Sequence, residues 1–165
     1  MKTLIICMAM LSVCQFHQKT NMKEITKNNM TVKWEIEQGL IYFEMEATTD
    51  GWVAVGFNEN SSLTGTYLLM GRVKDEKPEV VEHYTSKPGS YKPIIQYGIA
   101  SQITIISGTE AGNFTKLKFS IPVAAASKYH KELLTDSKWT LLMAYSLDDD
   151  FQHHSIMRTS VDIKL

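Results

Sequence analysis

The chain has 165 residues, of which 44% are hydrophobic and 21% are charged, and this composition favours one globular domain with a packed core. Its 17 Lys and Arg residues nearly balance its 18 Asp and Glu residues, giving a formal net charge of -1. Without a basic excess, nothing in the composition indicates a nucleic-acid partner or an anionic membrane surface.

Residues 1–18 are typical of a cleaved secretory signal peptide. Lys2 supplies a short positive region, and the apolar run Leu4–Val13 follows it. This run disfavours the alternative of a retained anchor, because a spanning helix needs about 20 apolar residues. Both cysteines, Cys7 and Cys14, lie in this segment. Secretion is therefore predicted, with a single mature domain over residues 19–165 that has neither a disulfide nor a Cys nucleophile.

Three Asn-x-Ser/Thr triplets begin at Asn29, Asn60 and Asn113. In exported eukaryotic proteins such triplets accept N-linked glycans. They agree with secretion and predict a glycoprotein.

Alternation of apolar and polar residues predicts a chain rich in β-strands from residue 32 onward. Val32–Glu37 and Ile41–Glu46 alternate on either side of a Gln-Gly turn, which predicts a hairpin. Trp52–Phe57 follows the next turn and predicts a third strand. Further strands are predicted at Tyr67–Val73, Glu79–Tyr84, Ile103–Ile106, Leu117–Ile121, Trp139–Tyr145 and Ser160–Leu165.

Two segments interrupt this strand pattern. Residues 86–99 contain two prolines and two glycines, which predicts a long irregular connection. Pro122–Leu134 predicts one short helix, because proline suits the first helical turn and alanines follow it. Short strands separated by regular turns predict an all-β fold, in the form of a β-sandwich.

His153 and His154 follow a run of three aspartates, Asp148–Asp150. Carboxylates and imidazoles together can bind a divalent metal, but a solvated turn is the favoured interpretation. At most one of the two histidines is expected to face inward, because adjacent side chains on an extended chain point to opposite faces. The nine methionines offer thioethers to haem iron, although most methionines fill cores.

The sequence has no nucleophile elbow, Walker loop, dinucleotide fingerprint or His-Glu-x-x-His pattern. No catalytic residue is therefore assigned, and an enzyme acting alone is the least favoured hypothesis.

Several segments resemble DOMON domains. Asp50–Asn58 (DGWVAVGFN), followed by a Ser-rich turn, a glycine and an apolar strand, resembles the opening signature of the family. Gly108–Pro122, Trp139–Tyr145 and His154–Leu165 resemble its later segments in the expected order. The resemblance covers residues 30–165. It implies a secreted, immunoglobulin-like sandwich of about 9–11 antiparallel strands with one short helix, which binds haem b or a sugar-like ligand.

In the haem-binding members, a Met after the Gly-Phe strand and a His before the last strand hold the iron. His154 matches this His, and His153 is the nearest substitute. Leu63 stands where the Met is expected and cannot donate to iron, so Met70 is the alternative thioether. The resemblance implies a cofactor pocket lined by Trp52, Phe57, Leu63, Tyr67 and Met70.

Three functions stay open at this point. The first is a secreted haem b-binding module that exchanges electrons with a separate partner or carries haem. The second is a non-haem module that binds a carbohydrate or another small molecule at the same end of the sandwich. The third is a secreted module that contacts another protein without a ligand.

Overall fold

The computed structural model describes residues 22–165, so the predicted signal peptide and both cysteines lie outside the described residues. The described chain forms eleven strands. They are β1 (Lys23–Lys27), β2 (Met30–Glu37), β3 (Leu40–Ala47), β4 (Val53–Asn58), β5 (Tyr67–Lys74), β6 (Lys77–Lys87), β7 (Ser90–Pro93), β8 (Thr104–Glu110), β9 (Thr115–Pro122), β10 (Lys138–Tyr145) and β11 (Met157–Lys164).

The strands form two antiparallel sheets that pack as a sandwich. The first sheet has five strands in the order β1-β2-β3-β9-β8, and the second has six in the order β11-β10-β4-β5-β6-β7. Strand alternation gives each sheet one face that packs on the other sheet. The predicted all-β, immunoglobulin-like sandwich is confirmed.

Aromatic and branched side chains from both sheets form the core between them. Val53, Val55 and Phe57 are the inward-facing residues of β4 and are fully buried. The Phe43 ring from the opposite sheet lies 5.6 Å from the Phe57 ring and 5.4 Å from the Phe119 ring, measured between centroids. Each buried side chain of this size stabilises the fold by about 1.5–3 kcal/mol.

The helix predicted at Pro122–Leu134 is wrong. Strand β9 continues to its first residue, and the rest of the segment consists of bends, turns and irregular backbone. Leu133 is fully buried in the core, and its backbone N–H donates to the carbonyl oxygen of Val123 at 2.8 Å. A tight return of this kind is incompatible with a continuous helix, so tertiary packing overrides the local helix propensity.

The connection over residues 86–99 is more ordered than its composition predicts. It contains strand β7 and a 3-10 turn at Ile94–Tyr97, which ends at Gly98 in the left-handed conformation, with φ of 74°. This turn is the only helical element in the described part of the chain. No helix within residues 22–165 is long and apolar enough to cross a membrane.

Candidate functional site

A cavity of about 420 Å³ lies on the outer face of the six-stranded sheet. Strand alternation forms its floor, because β4 and β5 turn every second side chain away from the core. Ala54 and Met70 face the cavity from neighbouring strands, while Val55 and Leu69 face the core. The volume falls within the range of about 300–1,000 Å³ that is typical of small-molecule sites.

Two loops form the rim of this cavity. The β4–β5 loop, residues 59–66, contributes Ser61, Leu63 and Thr66. The histidine loop, residues 146–156, contributes His153 and His154 from the other side. The remaining residues of the lining are Trp52, Leu68, Thr85, Gly89, Tyr91, Leu142, Met143, Ala144, Ser155, Arg158, Thr159 and Ser160.

Five of the seven pocket residues expected from the sequence line this cavity. They are Trp52, Leu63, Met70, His153 and His154.

Phe57 and Tyr67 do not line the cavity, which corrects the pocket expected from the sequence. Both side chains lie on the opposite face of the sheet, inside the sandwich core. The Tyr67 hydroxyl donates to the buried carboxylate of Glu82. The reason is the two-residue period of a strand, which points Phe57 the same way as Val55.

Met70 and Leu63 occupy different parts of the cavity. Met70 is 2% exposed and packs in the floor with Trp52, Ala54 and Phe151. Leu63 is half-buried in the β4–β5 loop at the rim. The Met70 thioether is therefore part of the packed floor, while Leu63 at the rim has no atom that could donate to a metal.

The β4–β5 loop is fixed by hydrogen bonds around Leu63. The Asn58 side-chain amide donates to the carbonyl oxygens of Ser62 at 2.7 Å and Thr64 at 2.9 Å. The Thr66 hydroxyl donates to the same Ser62 carbonyl at 3.1 Å. These bonds satisfy the backbone of the turn and set the position of Leu63 at the rim.

Both histidines at the rim are exposed. His153 Nδ1 lies 3.8 Å from a carboxylate oxygen of Asp148, and the His153 backbone N–H donates to the Asp150 carbonyl at 2.8 Å. The hydroxyl of the buried Ser146 donates to the His154 carbonyl at 3.1 Å. The backbone of the loop is therefore fixed, and both imidazoles remain available to a ligand.

Gly51 allows the histidine loop to pack against the start of β4. A Cβ atom at residue 51 would lie 2.3 Å from the backbone nitrogen of Asp148 and 2.6 Å from the carbonyl carbon of Leu147. Beside it, the Trp52 N–H donates to the Asp148 carbonyl at 3.1 Å, and the Ser146 N–H donates to the Trp52 carbonyl at 3.0 Å. The Asp-Gly-Trp segment thus holds the first residues of the loop.

The sequence model of the DOMON domain family matches residues 26–146 of the chain. The chain belongs to the DOMON domain family. The resemblance in the sequence is confirmed, and the DOMON domain is also similar to MOXD1 homolog 2 of Drosophila melanogaster. The two are 23% identical over 122 residues, which make up 74% of this chain and 16% of that protein. This chain therefore matches only a small part of its relative's length.

Two solved structures have the same fold as this DOMON domain. The cytochrome b domain of pyranose dehydrogenase from Coprinopsis cinerea superposes with a TM-score of 0.68 at 10% identity. The cytochrome domain of Myriococcum thermophilum cellobiose dehydrogenase superposes with a TM-score of 0.62 at 8% identity. Each comparison covers 87% of this chain and 81% of the other. At such identities the likeness concerns the fold.

Two residues of the DOMON domain that contact the histidine loop were not found from the sequence. Arg72 donates to the Asp149 carbonyl at 2.7 Å, and the Tyr91 hydroxyl donates to the Phe151 carbonyl. Arg72 stands in a predicted strand, but its contact is remote in sequence. Tyr91 stands in residues 86–99, whose composition predicts an irregular connection, and the pairing of β7 with β6 places it at the cavity.

Burial governs the ionisation of groups around the loop. It raises the pKa of Asp149, and the charge of Arg72 opposes this rise. It also raises the pKa of Tyr91, with a further rise from the charge of Asp150. Among residues 22–165, no group of three or more His, Cys, Asp or Glu side chains is arranged to hold a metal ion. The cavity itself combines two exposed imidazoles, hydroxyl side chains and Arg158 with an apolar floor.

Proposed function

We propose that this DOMON domain binds haem b in the cavity, with His154 as the axial ligand and His153 as the substitute. One observation carries the proposal. The histidine loop, the apolar floor and the hydrogen-bonded β4–β5 loop all line the same cavity. The likeness of the fold to two domains named as cytochromes supports this class of ligand.

The residues of the cavity fit a haem whose iron one protein side chain would hold. An imidazole from the histidine loop would hold the iron, and Arg158 of β11 in the lining would offer a positive charge to a haem carboxylate. Leu63 on the facing loop cannot hold iron, and the Met70 thioether is packed in the floor. Haem would supply one-electron redox chemistry when bound. The chain would orient it from the His154 side and shield it with apolar contacts.

The domain is further proposed to be a secreted glycoprotein that exchanges electrons with a separate protein. Asn29, Asn60 and Asn113 are all exposed, and each stands in a turn or loop between strands. Glycans at these positions would project into solvent without disturbing either sheet, which supports export.

A non-haem small molecule with hydroxyl groups, such as a carbohydrate, is the second candidate. The observation that favours it is the set of hydroxyl side chains in the lining of the cavity, because hydroxyls donate to and accept from sugar hydroxyls. These side chains belong to Ser61, Thr66, Thr85, Ser155, Thr159 and Ser160.

Titration of the purified protein with haemin tests the first proposal. Binding should produce a sharp Soret band, with α and β bands on reduction. His154→Ala should abolish this spectrum, and His153→Ala, a matched change one residue away, should retain it. The opposite pattern would assign the axial role to His153. A folded wild-type protein without any spectral change would refute haem binding, and the Trp fluorescence response to simple sugars would then test the second candidate.

A further inference from the structure

Arg72 reaches from β5 across the outer face of the sheet to the middle of the histidine loop. Its Nη1 donates to the carbonyl oxygen of Asp149 at 2.7 Å. Its guanidinium carbon lies 4.5 Å from the centroid of the Phe151 ring, within the range of a cation–π contact. A single side chain thus contacts two residues of the loop shortly before the two histidines.

The orientation of Arg72 is itself fixed by the sheet. Arg72 and Glu79 are direct partners in the register of β5 with β6. Arg72 Nε donates to Glu79 Oε2 at 2.7 Å, and Nη2 lies 2.6 Å from the same oxygen. A planar guanidinium held along one edge by a carboxylate presents its remaining N–H groups in a set direction. That direction is toward the loop.

Phe151 is held from a second side as well. Its carbonyl oxygen accepts a hydrogen bond from the Tyr91 hydroxyl, and its side chain is 9% exposed. The ring of the buried His83 lies 5.9 Å from the Phe151 ring and 5.6 Å from the Tyr91 ring, in edge contacts. The middle of the loop is therefore anchored to three strands of the same sheet.

The histidine side chains themselves have few restraints. Both are exposed, and the 3.8 Å approach of His153 to Asp148 joins two exposed groups. Such an exposed pair contributes little. The direction from which the imidazoles meet the cavity must therefore be set by the loop backbone. A site holds its ligand geometry only when the shell behind it is itself fixed.

We infer that Arg72 is a positioning residue for the histidine loop. Glu79 orients the Arg72 guanidinium, and the Tyr91 hydroxyl provides a second anchor by its hydrogen bond to the Phe151 carbonyl. Only the identity of the ligand rests on the proposed function. The anchoring of the loop is a property of this chain and can be measured without any ligand.

Backbone hydrogen exchange of the ligand-free protein tests the anchoring. Arg72→Gln removes the guanidinium, and Lys74→Gln is the matched control. Lys74 is exposed, stands two residues away on the same strand, and also acts on Asp149 through its charge. The amide of His153 should exchange about tenfold faster in Arg72→Gln, since a hydrogen bond from a charged donor is lost. Lys74→Gln should leave that rate unchanged.

The consequence for the site is tested by the rate at which bound haem transfers to excess apomyoglobin. This rate should rise about tenfold in Arg72→Gln and stay at the wild-type value in Lys74→Gln. Arg72→Lys should lie between them, because an ammonium keeps the charge but cannot satisfy Glu79 and the loop in one plane.

Three results would overturn the inference. The first is unchanged exchange of His153 in Arg72→Gln. The second is faster exchange that extends equally to β3 and β9 of the other sheet, because Arg72 would then serve overall stability. The third is a loosened loop with an unchanged haem transfer rate. A wild-type protein that binds no haem would refute the proposed function, while the exchange measurement would still decide the anchoring of the loop.

Discussion

Acidification should destabilise the fold through His83, which lies directly behind the histidine loop. His83 is 1% exposed, and its Nδ1 lies 3.1 Å from the carbonyl oxygen of Val81. Burial lowers the pKa of His83 from 6.5 to about 4, and this effect outweighs the Val81 hydrogen bond and the Glu79 charge, which both raise it. The imidazole therefore stays neutral in the folded protein at a pH where the unfolded chain protonates it.

The sign and size of the effect follow from proton linkage. The folded-state pKa is depressed, so the unfolded state binds more protons between the two pKa values. The contribution to stability is fully present above pH 6.5 and is lost as the pH falls to about 4. With about 1.4 kcal/mol for each pKa unit, His83 alone should lower the free energy of unfolding by about 2 kcal/mol between pH 7.5 and pH 5.

Urea unfolding of wild type and His83→Gln at these two pH values measures this effect. His83→Gln should show a pH dependence that is smaller by about 2 kcal/mol, whatever its stability at pH 7.5. Comparing the change with pH within each protein cancels the cost of the substitution itself. A His83→Gln protein with the same pH dependence as wild type would refute the reasoning.

Two further predictions concern the loops of the cavity. Gly51→Ala places a Cβ atom 2.3 Å from a backbone nitrogen of the histidine loop, so thermal unfolding should show a loss of about 1–3 kcal/mol. Wild-type stability in this variant would contradict the close packing. Leu63→Met supplies a thioether from the facing loop, so the haem complex should change to the absorption spectrum of iron with two protein ligands. An unchanged spectrum would show that residue 63 does not face the iron.

Alternation in the sequence was sufficient to find the strands that bury a face. All nine predicted strands are present, with ends that differ by a few residues. The two that were missed, β1 and β7, lie at sheet edges. In β1 nearly every residue is exposed, and Lys23 and Lys27 donate to β11 carbonyl oxygens at 3.1 and 3.2 Å. This strand is held mainly by backbone pairing with β2 and buries few side chains, so it leaves little apolar alternation in the sequence.

The sequence also predicts which side chains of a strand point toward the core, but it does not predict which polar side chains become buried. Phe57 stands two residues after Val55 on the same strand, so the two side chains point the same way, into the core. Met70 lies on the other face of the sheet, at the cavity. Glu44 lies between the core residues Phe43 and Met45 of β3 and so points away from the core, yet it is 4% exposed because lysines of β9 cover it at 2.6 Å. Lysine stems shield a carboxylate in this way only after the strands have paired.

One strand and the residues before it connect the fold to the site. Val53, Val55 and Phe57 fill the core, Ala54 faces the cavity, and Gly51 admits the histidine loop. The groups that would select a ligand stand instead on the two loops at the rim, where the chain tolerates change without loss of the sandwich. The residues that carry the DOMON signature thus stand in β4 and just before it, while Leu63 stands on the β4–β5 loop at the rim of the cavity.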